Sequence, residues 1–207
     1  MEATVGLIDY GAGNLRSIAN AFEHLGADVE MVRHPDDLED VTHVVLPGVG
    51  AFAHCRQTFL ASGLEPAVTQ WARVEQRPTL GICVGMQLMT EGSEEFGATP
   101  GLGWFPGTVT ALTATPPQNR VPHVGWSEVR FRQPIGDIAT GTAMDFYFDH
   151  SFALQSTSEA VRLADCAHSA PFIAMLVDGN LVATQCHPEK SQRAGLRLLQ
   201  AFLSLEG

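Results

Sequence analysis

Apolar residues in the first half of the chain occur in short runs that alternate with stretches of helical periodicity. The runs predict strands over Thr4–Tyr10, His43–Leu46 and Thr79–Cys83, and alternation of polar and apolar residues predicts another over Asp28–Val32. Ile18, Phe22 and Leu25 recur at helical spacing before Gly26, and further helices are predicted over Pro66–Gln76 and from Gly85 onward. This alternation of strand and helix is typical of a parallel sheet with helices on both faces.

The second half of the chain has a different pattern, with several strands and few helices between them. The predicted strands are Val109–Leu112, Trp126–Phe131, Asp145–Phe148, Val161–Cys166, Phe172–Val177 and Leu181–Gln185. A hairpin turn is predicted at Asp178-Gly179-Asn180, a Pro/Thr-rich loop over Thr113–Arg120, and a closing amphipathic helix over Gln192–Leu205. We therefore predict one α/β domain, residues 1–207, with a mixed, mostly parallel central sheet flanked by helices.

Composition and charge narrow the class of protein. The formal net charge is −11 and the 12 basic residues form no run, which argues against a nucleic-acid partner. No apolar stretch approaches the roughly 18 residues needed to span a membrane, and Met1–Tyr10 lacks the basic start of a signal peptide. We therefore expect a cytoplasmic protein without a membrane partner. The four cysteines form no CxxC pair, so neither a metal ribbon nor a disulfide framework is predicted.

One cysteine stands out by its local sequence, Gly81-Ile82-Cys83-Val84-Gly85, at a predicted strand-to-helix junction. Flanking glycines allow a sharp turn that exposes a nucleophile, and a helix start directs N–H groups and partial positive charge at the sulfur. The N–H of Val84 would face a developing oxyanion. The alternative is an ordinary buried cysteine at a strand end, because free cysteines usually act as small hydrophobic residues.

His187-Pro188-Glu189 follows the last predicted strand and supplies a candidate base. If Pro188 keeps the backbone extended, residues 187 and 189 point the same way, and Glu189 can orient the imidazole as in a nucleophile–base–acid triad. A solvated loop is the alternative for such a short motif. Cys186, adjacent to His187, should point into the core and be inert.

Pro47-Gly48-Val49-Gly50, here called the oxyanion loop, follows the third predicted strand at the sheet edge where α/β proteins bind ligands. Two glycines around Val49 would let a peptide rotate and present an N–H to a carbonyl oxygen. A plain turn is the alternative. Gly11-Ala12-Gly13 begins like a dinucleotide-binding motif, but Arg16 occupies the place of the third glycine, so we expect no nicotinamide or flavin.

Together these motifs resemble the class I, or triad, glutamine amidotransferases. The resemblance rests on G-I-C-V-G-M-Q around Cys83, the P-G-V-G loop and H-P-E-K-S at 187–191. Within that family the chain is most similar to the glutaminase subunits of imidazole glycerol phosphate synthase, through D-Y-G-A-G-N at 9–14, V-P-H-V-G-W at 121–126 and Y-F-D-H-S-F at 147–152. The resemblance covers nearly the whole chain and implies a flavodoxin-like fold.

The resemblance also implies roles for individual residues. Cys83 would be the nucleophile, His187 the acid and base, and Glu189 its orienter, with no metal or organic cofactor. The N–H groups of Val49 and Val84 would form the oxyanion hole. The Val49 peptide would point away from that hole until the partner has bound its own substrate. The residues implied to bind L-glutamine are Gly48, Gly50, Gln87, Glu95 and Ser151, and those implied to face the partner are Asn14, Trp126, Tyr147 and Lys190.

The implied partner is a (β/α)₈-barrel cyclase subunit in a heterodimer. It would receive ammonia and produce imidazole glycerol phosphate and aminoimidazole carboxamide ribotide in histidine biosynthesis. Two positions depart from the family pattern: Cys186 replaces a common aromatic residue, and Asp149 replaces an apolar one.

Three alternatives remain open at this point. The same site could serve an amidotransferase of another pathway, such as pyridoxal phosphate or anthranilate synthesis. It could belong to a free-standing γ-glutamyl hydrolase, which would be active without a partner. A catalytically silent binding subunit is the third, although the presence of all three triad residues argues against it.

Overall fold

The computed structural model describes residues 3–114, 120–168 and 170–205, so the predicted loop over Thr113–Arg120 lies mostly outside the described residues. The elements of the first half are β1 Thr4–Ile8, α1 Leu15–His24, β2 Asp28–Val32, β3 His43–Leu46, α2 Phe52–Ser62, α3 Glu65–Thr69, β4 Thr79–Ile82 and α4 Val84–Leu88. A π-helical turn, Gln70–Val74, continues α3. The elements of the second half are β5 Thr90–Ser93, β6 Thr99–Pro100, β7 Phe105–Ala111, β8 His123–Phe131, β9 Ala143–His150, β10 Phe152–Leu154, β11 Arg162–Ala167, β12 Pro171–Asp178, β13 Leu181–Thr184 and α5 Gln192–Leu203.

Nine strands form the central sheet, in the order β2-β1-β3-β4-β13-β12-β11-β8-β9. The strands from β2 to β13 pair in parallel, and those from β13 to β9 pair antiparallel. The sheet is therefore mixed, as predicted, but parallel pairs make up half of it rather than most. Within the parallel half, β3, β4 and β13 are buried throughout, as expected for strands with both faces covered, whereas the edge strand β2 exposes Asp28 and Glu30.

A second, smaller sheet was not predicted. It has the order β10-β7-β5-β6 and pairs Phe152–Leu154 with the end of β7. The helical run predicted from Gly85 is wrong beyond Leu88, because the chain enters this sheet at Thr90 after a helix of only five residues. The short α4 and the second sheet together place Gln87 and Phe152 next to each other.

Helix α2 was also missed by the sequence analysis. Its buried residues, Phe52, Cys55 and Phe59, follow helical spacing, so the signal was present. It ends at Gly63, whose φ of +74° suits a glycine. The helix predicted over Pro66–Gln76 is confirmed in place but is divided into α3 and the π-helical turn.

The strand order brings three loops together at one edge of the sheet. Because β3, β4 and β13 are parallel neighbours, their carboxyl ends lie side by side. The oxyanion loop follows β3, Cys83 follows β4, and His187 lies three residues after the end of β13. This edge is where α/β proteins bind ligands. Within the described residues, no helix is both long enough and apolar enough to cross a membrane.

Candidate active site

Cys83 occupies a sharp turn between β4 and α4. Its φ of 55° and ψ of −113° lie in a region that non-glycine residues rarely adopt, at a cost of about 1–3 kcal/mol. The surrounding structure holds it there: the Cys83 N–H donates to the Thr184 carbonyl at 2.7 Å. A Cβ on Gly85 would lie 1.9 Å from the Leu46 carbonyl oxygen, so only glycine allows the turn to pack against β3. The predicted nucleophile elbow is therefore present.

His187 and Glu189 form a hydrogen-bonded pair behind the cysteine. The His187 Nδ1 to Glu189 Oε1 distance is 2.8 Å, and both side chains are almost completely buried. The predicted contact is thus present, but the predicted extended backbone is wrong. Pro188–Lys190 forms a 3₁₀ turn that begins directly after His187, and this turn folds Glu189 back onto the imidazole. Proline is compatible with the first position of such a turn, which explains why it stands there.

The electrostatic balance at His187 favours its protonated form. Burial alone would lower the pKa of His187, but hydrogen bonds and charge interactions with Cys83 and Glu189 outweigh it and raise the pKa to about 10. At neutral pH the His187 imidazole is therefore protonated, and it interacts with both the Glu189 carboxylate and the Cys83 sulfur. Cys186 is fully buried and bonded to Thr184, and burial raises the pKa of its thiol, in keeping with the inert role predicted for it.

The oxyanion loop lies against the nucleophile elbow in a conformation that occupies one of its donors. The Val84 N–H donates to the Gly48 carbonyl oxygen at 3.3 Å. In a trans peptide the carbonyl and the following N–H point in opposite directions, so the Val49 N–H points away from Val84. The two predicted oxyanion donors, the N–H groups of Val49 and Val84, are therefore neighbours in space but do not point to a common position in this conformation.

Two buried side chains hold the loop on its inner side. The Tyr10 hydroxyl donates to the Pro47 carbonyl at 2.7 Å, and the Cys55 thiol donates to the Val49 carbonyl at 3.2 Å. The Val49 side chain itself is 41% exposed. Neither Tyr10 nor Cys55 was singled out by the sequence analysis, because both follow ordinary core spacing.

A cavity of about 380 Å³ opens in front of the cysteine. Nine of its lining residues were predicted site residues: Val49, Gly50, Cys83, Val84, Gln87, Glu95, Ser151, His187 and Lys190. The other lining residues are Pro122, Asp149, His150 and Phe152. Gly48 lies behind this wall, where an added Cβ would be 2.7 Å from the Gly85 nitrogen. Glu95 is fixed at the cavity by the Phe52 N–H at the start of α2, which donates to Oε2 at 2.6 Å.

Gln87 belongs to a buried chain of hydrogen bonds that the sequence analysis missed. Its Nε2 donates to the Phe152 carbonyl at 3.1 Å and to Gln185 Oε1 at 2.9 Å. Gln185 Nε2 in turn lies 3.7 Å from the Cys83 sulfur. The available signal was alternation, since Gln185 stands two residues before His187 on an extended segment and so shares its direction.

Two buried histidines, His150 and His123, extend this series of hydrogen bonds from the Phe152 carbonyl. His150 Nδ1 donates to the Phe152 carbonyl at 2.9 Å, and its Nε2 lies 3.1 Å from His123 Nδ1. Burial lowers the pKa of His150 to about 4 and that of His123 to about 3, so both are neutral. Because the Phe152 carbonyl only accepts, His150 Nε2 accepts from His123, whose Nε2 accepts from Ser127.

Three of the residues predicted to face a partner form one surface cluster beside the cavity. The Trp126 ring, 48% exposed, lies edge-on to Tyr147 with centroids 6.2 Å apart. Lys190 Nζ is 5.4 Å from the centre of the Tyr147 ring. Asn14 is not part of this cluster and lies at the start of α1. The preceding residue, Gly13, packs closely on the oxyanion loop, since an added Cβ there would lie 2.8 Å from the Pro47 side chain.

The described residues include no group of three or more His, Cys, Asp or Glu side chains arranged to hold a metal ion. Asp149, one of the two departures from the family pattern, lines the cavity and is exposed. The chemical elements of the site are thus the Cys83 sulfur, the His187 imidazole with its carboxylate partner Glu189, and polar groups on the cavity wall.

Comparisons with known proteins identify a sequence family. Residues 6–204 match the sequence profile of the family described as Glutamine amidotransferase class-I. A relative from Rhodospirillum rubrum, named imidazole glycerol phosphate synthase subunit HisH, is 44% identical over 96% of this chain and 97% of its own length. A protein of the same name from Zymomonas mobilis is 42% identical over 98% of this chain and 96% of its own.

Solved structures support the fold independently. One described as a glutamine amidotransferase superposes with a TM-score of 0.76 at 20% identity and covers 97% of each chain. The structure of PurLQS from Thermotoga maritima also gives a TM-score of 0.76, at 17% identity, and covers 98% of each chain. At such identities the likeness concerns the fold alone.

Proposed function

Because the chain belongs to the class I glutamine amidotransferases, we propose that it is the glutaminase subunit of an imidazole glycerol phosphate synthase. It would hydrolyse L-glutamine to glutamate and ammonia for a cyclase partner in histidine biosynthesis. The observation that carries this proposal is the buried Cys83–His187–Glu189 arrangement at the end of a cavity lined by Gln87 and Glu95. Full-length relatives of that name favour it over an amidotransferase of another pathway.

The cavity offers groups suited to the amino acid portion of glutamine. Glu95 supplies a carboxylate for the α-ammonium group. Both Gln87 Nε2 hydrogens are used, by Phe152 and Gln185, so Gln87 can offer substrate only its Oε1, which is an acceptor. An acceptor at this position also suits an ammonium group. Ser151 and Gly50 line the same cavity, where a hydroxyl and a backbone N–H can bind the α-carboxylate.

The first half of the reaction forms a thioester. The Cys83 thiolate attacks the carboxamide carbon, a C–S bond forms, and the carbonyl oxygen becomes an oxyanion. Protonated His187 donates its proton to the departing nitrogen, the C–N bond breaks, and ammonia leaves. Glu189 keeps the imidazole in the tautomer and orientation that this transfer needs.

The second half regenerates the enzyme. His187, now neutral, accepts a proton from water, and the hydroxyl attacks the thioester carbon. The C–S bond breaks, glutamate leaves, and the thiolate and the imidazolium are restored. Both halves pass through an oxyanion, so both depend on correctly placed N–H donors.

The oxyanion donors are where control by a partner would act. While the Val84 N–H is bonded to the Gly48 carbonyl, it is not available to substrate. Rotation of the Gly48–Val49 peptide would release Val84 and turn the Val49 N–H toward the same point. One such donor is typically worth about 10²–10³ in rate. We therefore expect slow glutaminase activity in the isolated chain.

The surface cluster of Trp126, Tyr147 and Lys190 is the candidate docking surface for a (β/α)₈-barrel cyclase. It adjoins the cavity through Lys190, and Asn14 is assigned to the same interface by resemblance. Ammonia released at Cys83 would pass across this surface to the cyclase, which would form imidazole glycerol phosphate and aminoimidazole carboxamide ribotide.

Glutamate release by the purified chain, alone and with the cyclase partner loaded with its ribotide substrate, tests this function. The proposal predicts slow release alone and an increase of about 10²–10³ in the loaded complex. Full activity without a partner would instead indicate a free-standing γ-glutamyl hydrolase. No activity under either condition would indicate a silent subunit.

A further inference from the structure

Gln185 is a fully buried amide at the end of β13, in contact with the nucleophile but outside the cavity lining. Its backbone N–H donates to the Ala174 carbonyl at 2.8 Å, which fixes the segment between β13 and His187. Burial of a polar side chain is costly unless its hydrogen bonds are satisfied. Both ends of this amide have partners, Gln87 on one side and the Cys83 sulfur on the other.

The direction of these hydrogen bonds follows from one backbone carbonyl. The Phe152 oxygen can only accept, so the end of Gln87 that contacts it must be the NH₂ group. The second hydrogen of that NH₂ group is donated to Gln185, whose contacting atom must then be its oxygen. The other end of Gln185 is therefore an N–H donor, and it faces sulfur. The hydrogen bond to the Phe152 carbonyl therefore fixes which end of each side-chain amide is oxygen and which is nitrogen, for both Gln87 and Gln185.

We propose that Gln185 is a positioning residue that presents a fixed N–H to the Cys83 sulfur and stabilises its thiolate, with its orientation set by Gln87 and the Phe152 carbonyl. This rests on the proposed function of Cys83 as a nucleophile. A hydrogen bond to an anion is stronger than one to a neutral group, so the N–H favours thiolate over thiol. It also holds the sulfur between two donors, the Gln185 amide and the His187 imidazole.

The same series of hydrogen bonds links the substrate site to the nucleophile. Gln87 lines the cavity and is the partner that keeps the Gln185 oxygen turned away from Cys83. A change at Gln87 would therefore disturb both substrate binding and the thiolate, whereas Gln185→Glu, which can still accept from Gln87, would disturb the thiolate alone.

The pH dependence of Cys83 alkylation by iodoacetamide measures this effect directly. The reagent reacts with thiolate and needs no glutamine, so the result is separate from the test of the proposed function. The full chain would be labelled across a pH series, and the peptide containing Cys83 followed by mass spectrometry. Other titratable groups near the sulfur or lining its cavity are His187, Glu189, His150, Tyr10, Cys55, Cys186, Glu95, Asp149 and Lys190, and the variants leave all of them in place.

In Gln185→Met, which keeps the shape and removes the N–H, we expect the alkylation midpoint to rise by about one pH unit. Gln185→Glu can still accept from Gln87 but places an acidic oxygen toward the sulfur, so its midpoint should rise further. Thr184→Val is the matched control, because Thr184 is equally buried on the same strand and its hydroxyl bonds Cys186. Its midpoint should equal that of the unmodified chain.

Kinetics in the loaded complex give a second readout. Because Gln185 does not line the cavity and a glutamate there can still accept from Gln87, Gln185→Glu should lower kcat and leave the KM for glutamine unchanged. An unchanged alkylation midpoint in folded Gln185→Met or Gln185→Glu overturns the proposal, even if stability and kcat fall. If Gln185→Met does not fold, Gln185→Glu carries the test. A shifted midpoint in a chain that never releases glutamate would support the role of Gln185 and reject the proposed function.

Discussion

The two sides of the active-site cavity differ in how completely they are assembled. On one side, His187 and Glu189 are buried and joined at 2.8 Å, and Cys83 is held in a strained turn by bonds to β13. On the other side, Val49 of the oxyanion loop is exposed, and the Gly48 carbonyl of the same loop accepts a hydrogen bond from the Val84 N–H. The candidate catalytic groups Cys83, His187 and Glu189 are therefore in place without a partner, whereas the two candidate oxyanion donors do not yet converge.

The largest expected effect concerns the assembled side. Cys83→Ala should lower glutamate release in the loaded complex by about 10⁴-fold or more, because no other cysteine of the described residues lines the cavity. Cys186→Ala is the matched control, since that thiol is adjacent to His187 in sequence but bonded to Thr184 in the core. A colorimetric glutamate assay checks both variants. Substantial release by the Cys83 variant would remove the basis of the comparison.

Glu189→Gln should reduce kcat in the loaded complex by on the order of 10²–10⁴, because a neutral amide orients His187 less well and does not stabilise its charge. The pKa of His187 should fall from about 10 toward its ordinary value, since Glu189 is one of the groups that raise it. The part of the stability due to protonated His187 is present at low pH and is lost as pH rises through that pKa. In Glu189→Gln the loss should therefore occur at lower pH, which thermal unfolding at several pH values would detect; an unchanged profile would argue against the pair.

Trp126→Ala tests the candidate docking surface, which adjoins the cavity through Lys190. An exposed tryptophan at the centre of an interface is commonly worth about 2 kcal/mol, so the Kd for the cyclase should rise by roughly 30-fold. Val74→Ala is the control, because Val74 is 65% exposed but lies before β4, at the opposite edge of the sheet. Calorimetric titration with the cyclase measures both. Equal affinities in the two variants would place the interface elsewhere.

The smallest expected effect concerns the buried histidines His150, on the cavity wall, and His123. The pKa values of His150 and His123 are lowered to about 4 and 3, so the folded chain holds them neutral while the unfolded chain protonates them below about pH 6.5. Their contribution to stability is complete above that pH and is lost as pH falls toward 4 and 3. His150→Asn can still donate to the Phe152 carbonyl but does not titrate. Its melting temperature should fall less steeply with acid than that of the unmodified chain, and equal slopes would contradict this assignment.

The sequence was sufficient for features that depend on local pattern. The elbow at Cys83 needs glycines on both sides and a strand-to-helix junction, and both are visible in the printed sequence. The positions of β2 and β3 were predicted to the residue, because β2 alternates polar and apolar residues and β3 is a short apolar run before Pro47-Gly48. The mixed α/β class followed from the change of pattern between the two halves.

Other features depend on contacts that a local pattern does not encode. The 3₁₀ turn at Pro188 is compatible with the same residues as an extended segment, and packing of Glu189 against His187 decides between them. Gln185 resembles any polar residue at a strand end until Gln87 is brought beside it from 98 residues away. The orientation of the Gly48–Val49 peptide is one torsional choice, and glycine makes both outcomes accessible.

A paired measurement on the isolated chain and on the loaded complex tests the central difference most directly. The rate of Cys83 alkylation reports the nucleophile, and the rate of glutamate release reports the whole reaction. The account predicts that the loaded cyclase raises glutamate release by about 10²–10³ and does not raise alkylation. Parallel increases in both rates, or full glutamate release without the partner, would contradict it.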